Sequence, residues 1–135
     1  MKHIILPVFA LMLAACATQE EGPTKDVNQA IRDFIEVRDL QEVSEIRTNS
    51  SDRWNEVTKT FILYSGRSEE YLVEFGRRCF ELDQVPVVPD RRKTNNRIYA
   101  KFDTIRGCVI AKIYPLNEAE VAELKDIGES PGSRN

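Results

Sequence analysis

The sequence predicts an α+β domain: a small antiparallel sheet of about four to six strands, an N-terminal helix, a short C-terminal helix and one disulfide. Three observations carry this. Apolar residues recur at helical spacing before residue 40. From about Glu42 the apolar pattern shortens toward a period of two, broken by turn-forming clusters. Two cysteines, Cys79 and Cys108, stand among the strand-like segments.

The elements follow in order. Thr24 is placed to cap a helix. Val27, Ala30, Ile31, Phe34 and Ile35 form its apolar stripe, and Asp26, Arg32, Asp33 and Glu36 its polar side. This is an amphipathic helix of about three to four turns, with Leu40 beyond it. Its polar face is mixed in sign, so the stripe is expected to pack on a sheet. Residues 43–48 read as a short strand and 49–52 as a turn. Residues 54–58 and 59–64 are β-prone, and 65–68 (Ser, Gly, Arg, Ser) form a second turn. Residues 70–75 return as a strand with Tyr71, Val73 and Phe75 on one face, giving a first hairpin with 59–64.

Residues 83–96 contain Pro86, Pro89 and the run Asp90-Arg91-Arg92-Lys93, and read as a long loop. Residues 97–103 alternate, with Ile98, Ala100 and Phe102 on one side and Tyr99, Lys101 and Asp103 on the other. A turn at 104–107 and a strand at 108–114, ended by Pro115, complete a second expected hairpin. Asn117 and Glu120 stand at capping spacing before Val121, Leu124 and Ile127, the apolar side of a short helix that Gly128 would stop. The tail, 129–135, is polar and expected to be disordered.

The start of the chain is an address. Met1, Lys2 and His3 precede an apolar run from Ile4 to Leu13, too short to span a bilayer. The following Leu13-Ala14-Ala15-Cys16 resembles the lipobox of bacterial lipoproteins. That resemblance implies a signal peptide at 1–15, acylation of Cys16, and a polar tether over 16–23 leading to a single domain at 24–128. Two or more acyl chains anchor stably without help from the protein. The partner expected from this end is the membrane itself. Ala17, where aspartate marks inner-membrane retention in well-studied sorting systems, favours the periplasmic face of the outer membrane.

Composition excludes several activities. The formal net charge is −3, and loss of Lys2 with the leader leaves 18 basic side chains against 22 acidic ones. Nothing here calls for nucleic acid, which needs a basic patch. The one histidine, His3, lies in the leader. Histidine-dependent triads, histidine-bound zinc and a histidine general base are therefore not expected downstream. No cofactor, metal or catalytic residue is assigned. In an exported chain Cys79 and Cys108 are expected to bridge. They would close a loop of about 30 residues, contributing about 3–4 kcal/mol.

Trp54, the strand Tyr71-Leu72-Val73-Glu74-Phe75, Cys79, Phe102-Asp103, Cys108 and Pro115-Leu116 together resemble a family of small proteobacterial lipoproteins catalogued as a domain of unknown function. The resemblance runs over about residues 54–124. It implies the same cysteine pair and no particular activity.

The expected function is that of a non-catalytic accessory or binding protein of the bacterial envelope, with an envelope protein as its partner. Trp54, Tyr71, Arg91, Arg92 and Lys93 form the candidate binding surface, the aromatics as anchors and the basic run for an anionic group. One alternative is a carboxylate-dependent cell-wall enzyme, with Asp103 its one candidate acid. Another is an inhibitor of a periplasmic enzyme.

Overall fold

The computed structural model describes residues 26–48 and 52–129. The expected leader, Cys16, the tether, the Thr24 cap, most of the 49–52 turn and residues 130–135 lie outside the described residues. The elements are α1 (Val27–Val37), β1 (Glu45–Arg47), β2 (Arg53–Glu56), β3 (Phe61–Ser65), β4 (Glu70–Phe75), a 3₁₀ turn (Phe80–Asp83), β5 (Arg97–Tyr99), β6 (Thr104–Ile105), β7 (Cys108–Leu116) and α2 (Glu118–Glu129). β2-β3-β4-β7-β6 form an antiparallel sheet, and β1 and β5 pair as a separate antiparallel ribbon.

The central strands bury both faces, so the domain has three layers. Successive residues of a strand point to opposite faces. Leu72 accordingly joins Ile31, Phe34, Phe61, Leu63, Tyr114, Leu116 and Leu124 under the helices. Tyr71, Val73 and Phe75 join Ile46, Ile62, Ile98, Ile110 and Ile113 under the ribbon and the long loop. One charge sits on the helical side: Glu74, buried, accepts from Arg32 Nη1 at 2.6 Å.

Local chemistry sets the helix ends. α1 is capped by Asp26, not Thr24: the Asp26 side chain accepts from Asn28 N at 3.2 Å. At the other end Asp39 takes a φ of 49°. Asp39 N then donates to Glu36 O and Leu40 N to Ile35 O, a Schellman closure that turns Leu40 back onto the core. α2 opens with the expected reciprocal box. Asn117 N donates to Glu120 Oε2 and Glu120 N to Asn117 Oδ1, each at 2.9 Å. Gly128 does not stop α2, which runs to Glu129. A Cβ there would lie 3.1 Å from Val57 Cγ1, so glycine allows the helix to approach the turn after β2.

The first hairpin is as expected, with Ile62 opposite Val73 and Tyr64 opposite Tyr71. The second is corrected. β5 ends at Tyr99 and pairs with β1, and β7 pairs with Thr104–Ile105, the segment expected to be a turn. The reason is a reversal after Ala100. Lys101 has a φ of 71°, and Asp103 N donates back to Tyr99 O. This breaks the alternation expected through 97–103. Phe102 is exposed and Asp103 is buried.

Arg106 and Gly107 both have positive φ, and Ile105 faces Cys108 directly. This is a two-residue loop of type I′ character, matched to strand twist. A Cβ at Gly107 would lie 2.7 Å from Val88 Cγ1. Gly107→Ala is expected to cost about 2 kcal/mol through backbone strain and this clash. A urea midpoint equal to the parent's would contradict it.

Pro115 does not end β7. Ile113 O accepts from Val43 N on the side away from β4. Residue 115, two further on, turns its backbone the same way, so proline removes no hydrogen bond to β4.

Candidate functional site

The residues singled out from sequence do not form one surface. Trp54, Tyr64, Tyr71 and Pro115 stand in register across four strands. Trp54 is half-buried, with the Arg106 guanidinium 5.5 Å from its ring. The basic run fastens the long loop over the sheet. Arg91 N donates to Thr104 Oγ1 at 2.9 Å, and Arg91 O accepts from Thr104 N at 2.9 Å. Arg92 Nη2 donates to Asp90 at 3.2 Å. Lys93 Nζ lies 5.7 Å from the rings of both Tyr99 and Phe102. Much of this basic cluster is therefore engaged within the domain.

Asp103 has the same role at higher stakes. It is 1% exposed. Its Oδ1 accepts from Lys93 N and its Oδ2 from Tyr99 N, both at 2.8 Å. A carboxylate holding two backbone donors ties the loop to β5 and is not offered to a substrate.

Tyr71 leads to a different place. It lines a groove of about 640 Å³ with Val43, Glu45, Arg47, Arg67, Ser68, Glu69 and Pro115. A neighbouring depression shares Arg47 and Arg67 and adds Thr48, Asn96 and Arg97. Gly66 brings the parts together. A Cβ there would sit 3.0 Å from Tyr71 Cε2 and 3.3 Å from Arg47 O, so glycine lets the β3–β4 turn press onto β1 without displacing either neighbour. The acids of the groove are occupied: Glu45 pairs with Arg97, and Glu69 accepts from the Tyr71 hydroxyl at 2.8 Å. Arg47 and Arg67 are both exposed, and among the described residues neither makes an ion pair. Sequence reasoning missed both. Arg67 read as part of a turn and Arg47 as part of a short strand, and neither position showed that the two segments would meet.

Burial and the Glu69 carboxylate push the Tyr71 hydroxyl up to about 12. Burial and Asp52, whose Oδ2 accepts from the Tyr64 hydroxyl at 2.8 Å, raise Tyr64 further. Both folded values lie above the ordinary tyrosine value of about 10. The unfolded chain therefore releases these protons first, and stability falls as pH rises above about 10. Melting should be insensitive to these groups below pH 9, and the phenolate absorbance due to Tyr64 and Tyr71, taken as the difference from the Tyr64→Phe and Tyr71→Phe variants, should grow only with unfolding. Two phenolates titrating normally in folded protein would overturn this.

Cys79 and Cys108 form the expected disulfide, with a Cα–Cα distance of 5.9 Å. Glu81 Oε2 lies 3.1 Å from Cys108 Sγ. These three residues bring potential metal-ligand atoms within 4.8 Å of one another. With the sulfurs bonded to each other, neither offers a thiolate.

Fold and site define a small disulfide-closed α+β protein with an arginine-lined groove. The chain belongs to a family of unknown function, DUF6491, whose model matches residues 1–128. Searches of curated proteins and of solved structures each found no match.

Proposed function

We propose that this chain is a lipid-anchored, non-catalytic accessory protein of the bacterial envelope, acylated at Cys16 and held at the periplasmic face of the outer membrane. The observation that carries this reading is the run Leu13-Ala14-Ala15-Cys16 directly behind a short apolar leader. The Cys79–Cys108 disulfide supports it, because such bonds persist in oxidising compartments. The Arg47–Arg67 groove is the surface assigned to a partner, as two arginines in one concavity suit a carboxylate or phosphate group. The carboxylate-enzyme alternative loses its one named acid, since Asp103 is buried and spent on backbone donors.

The test is Cys16→Ser in the native host. Incorporation of labelled fatty acid should disappear, and the chain should be released or trapped as its precursor. Unchanged labelling would sink the anchor. In-cell crosslinking of a chain tagged after Asn135 tests the binding role. One dominant envelope protein should be recovered from the parent and lost with Arg67→Glu. Equal recovery from both would move the partner off the groove.

A further inference from the structure

Among the exposed large apolar side chains, Val37 stands at the end of α1 and Phe102 beside Lys93. Phe80 (61% exposed) and Val109 (47%) adjoin the two disulfide cysteines in the chain, and Val85 (89%) and Val87 (58%) follow the 3₁₀ turn that begins at Phe80. Phe80 follows Cys79, and Val109 follows Cys108. Val85 and Val87 ride on the segment that leaves the 3₁₀ turn and returns through Val88, which packs at Gly107.

The chain enters the domain at this same end. Asn28, in the first turn of α1, accepts from Thr58 Oγ1 at 2.7 Å. The adjacent Lys59 accepts through its carbonyl from Cys79 N at 2.6 Å, and its ammonium pairs with Asp83. The turn after β2 thus links the start of α1 to the rim that bears Phe80. Between Cys16 and Asp26 lie ten residue steps, which can span at most about 35 Å.

Charge on the rim fits a headgroup surface. Its acids are held in ion pairs, Glu81 with Arg77 and both Glu56 and Asp83 with Lys59. Arg78 is exposed and stands over the Phe80 ring at 5.2 Å. Isolated exposed apolar residues need no explanation, but a grouped set marks an interaction surface. A short tether emerging beside that set names its occupant.

We infer that the disulfide end of the domain rests on the bilayer, with Phe80, Val85 and Val87 in the headgroup region. This rests on the proposed acylation of Cys16. The domain is then oriented, not merely tethered, and the β3–β4 turn bearing Arg67 points away from the membrane.

The experiment uses full chain extracted in detergent from its own host. Its mass establishes whether acyl groups are present. The protein is then reconstituted into phosphatidylethanolamine and phosphatidylglycerol vesicles containing brominated lipid. Phe80→Trp and Val85→Trp are compared with Arg67→Trp, all at exposed sites, with Trp54 as the common baseline. Emission of the first two should shift to the blue and be lost to the bromines, while Arg67→Trp keeps its emission. An acylated chain in which all three behave alike overturns the orientation and leaves the anchor standing. A chain without acyl groups overturns both.

Discussion

Asp103→Ala should lower stability by about 3 kcal/mol, or roughly 15 °C in melting temperature for a domain of this size. Two backbone donors, Lys93 N and Tyr99 N, lose a charged acceptor at 2.8 Å each. Bonds to charged groups contribute about 1.5–3 kcal/mol apiece, and a donor left unpaired in a partly buried site adds its own desolvation cost. The damage should be local at first. The loop carrying Arg91–Lys93 is joined to the rest of the domain through Asp103 and Thr104, so its amide protection should fall before that of β3 and β4. Asp103→Asn keeps one acceptor and turns an NH₂ group toward the other donor, so it should recover only part of the loss. A change under about 1 kcal/mol in Asp103→Ala would mean that water replaces the carboxylate freely.

Replacing both Cys79 and Cys108 with alanine should cost about 3–4 kcal/mol. The bond spans 29 residues of sequence, and closing a loop of that size restricts the unfolded chain by about this much. Against a total stability of about 5–15 kcal/mol, the double variant should be marginal at 37 °C. Equilibrium urea unfolding of parent and variant checks the figure. Equal midpoints would show that contacts around Phe75 and Leu82 already fix the loop. Both cysteines are fully buried, so reductant should act on the parent only slowly, through opening.

The readable parts of this fold were those governed by neighbours in sequence. Ile31 and Phe34 announced a helix face because i, i+3 and i+4 positions share a side. Asn117 and Glu120 announced a helix start because the capping box needs only three residues of separation. Cys79 and Cys108 announced a bridge because the leader read from the sequence implied export to an oxidising compartment. The unreadable parts depended on distant packing. Ile98 showed that 97–99 was a strand but not that its partner was β1. Nothing about a lysine advertises the positive φ of Lys101, and that one residue reversed the exposure of Phe102 and Asp103. The groove was hidden for the same reason. It exists because Gly66 allows the first hairpin to touch β1, a contact between segments with no shared periodicity.

The disulfide also governs how the chain would survive a proteolytic cut. β4 and β7 are neighbours in the sheet, and the covalent link joins the chain just beyond one to the first residue of the other. Everything between them, including the exposed stretch around Val85 and Val87, forms a closed ring hung on the sheet. Exposed loop tips are where proteases cut first. A single cut in that ring would separate no fragment. The two pieces would stay joined through sulfur and run as one species until reduced, so a nicked molecule would keep its C-terminal half tied to the half that carries Cys16.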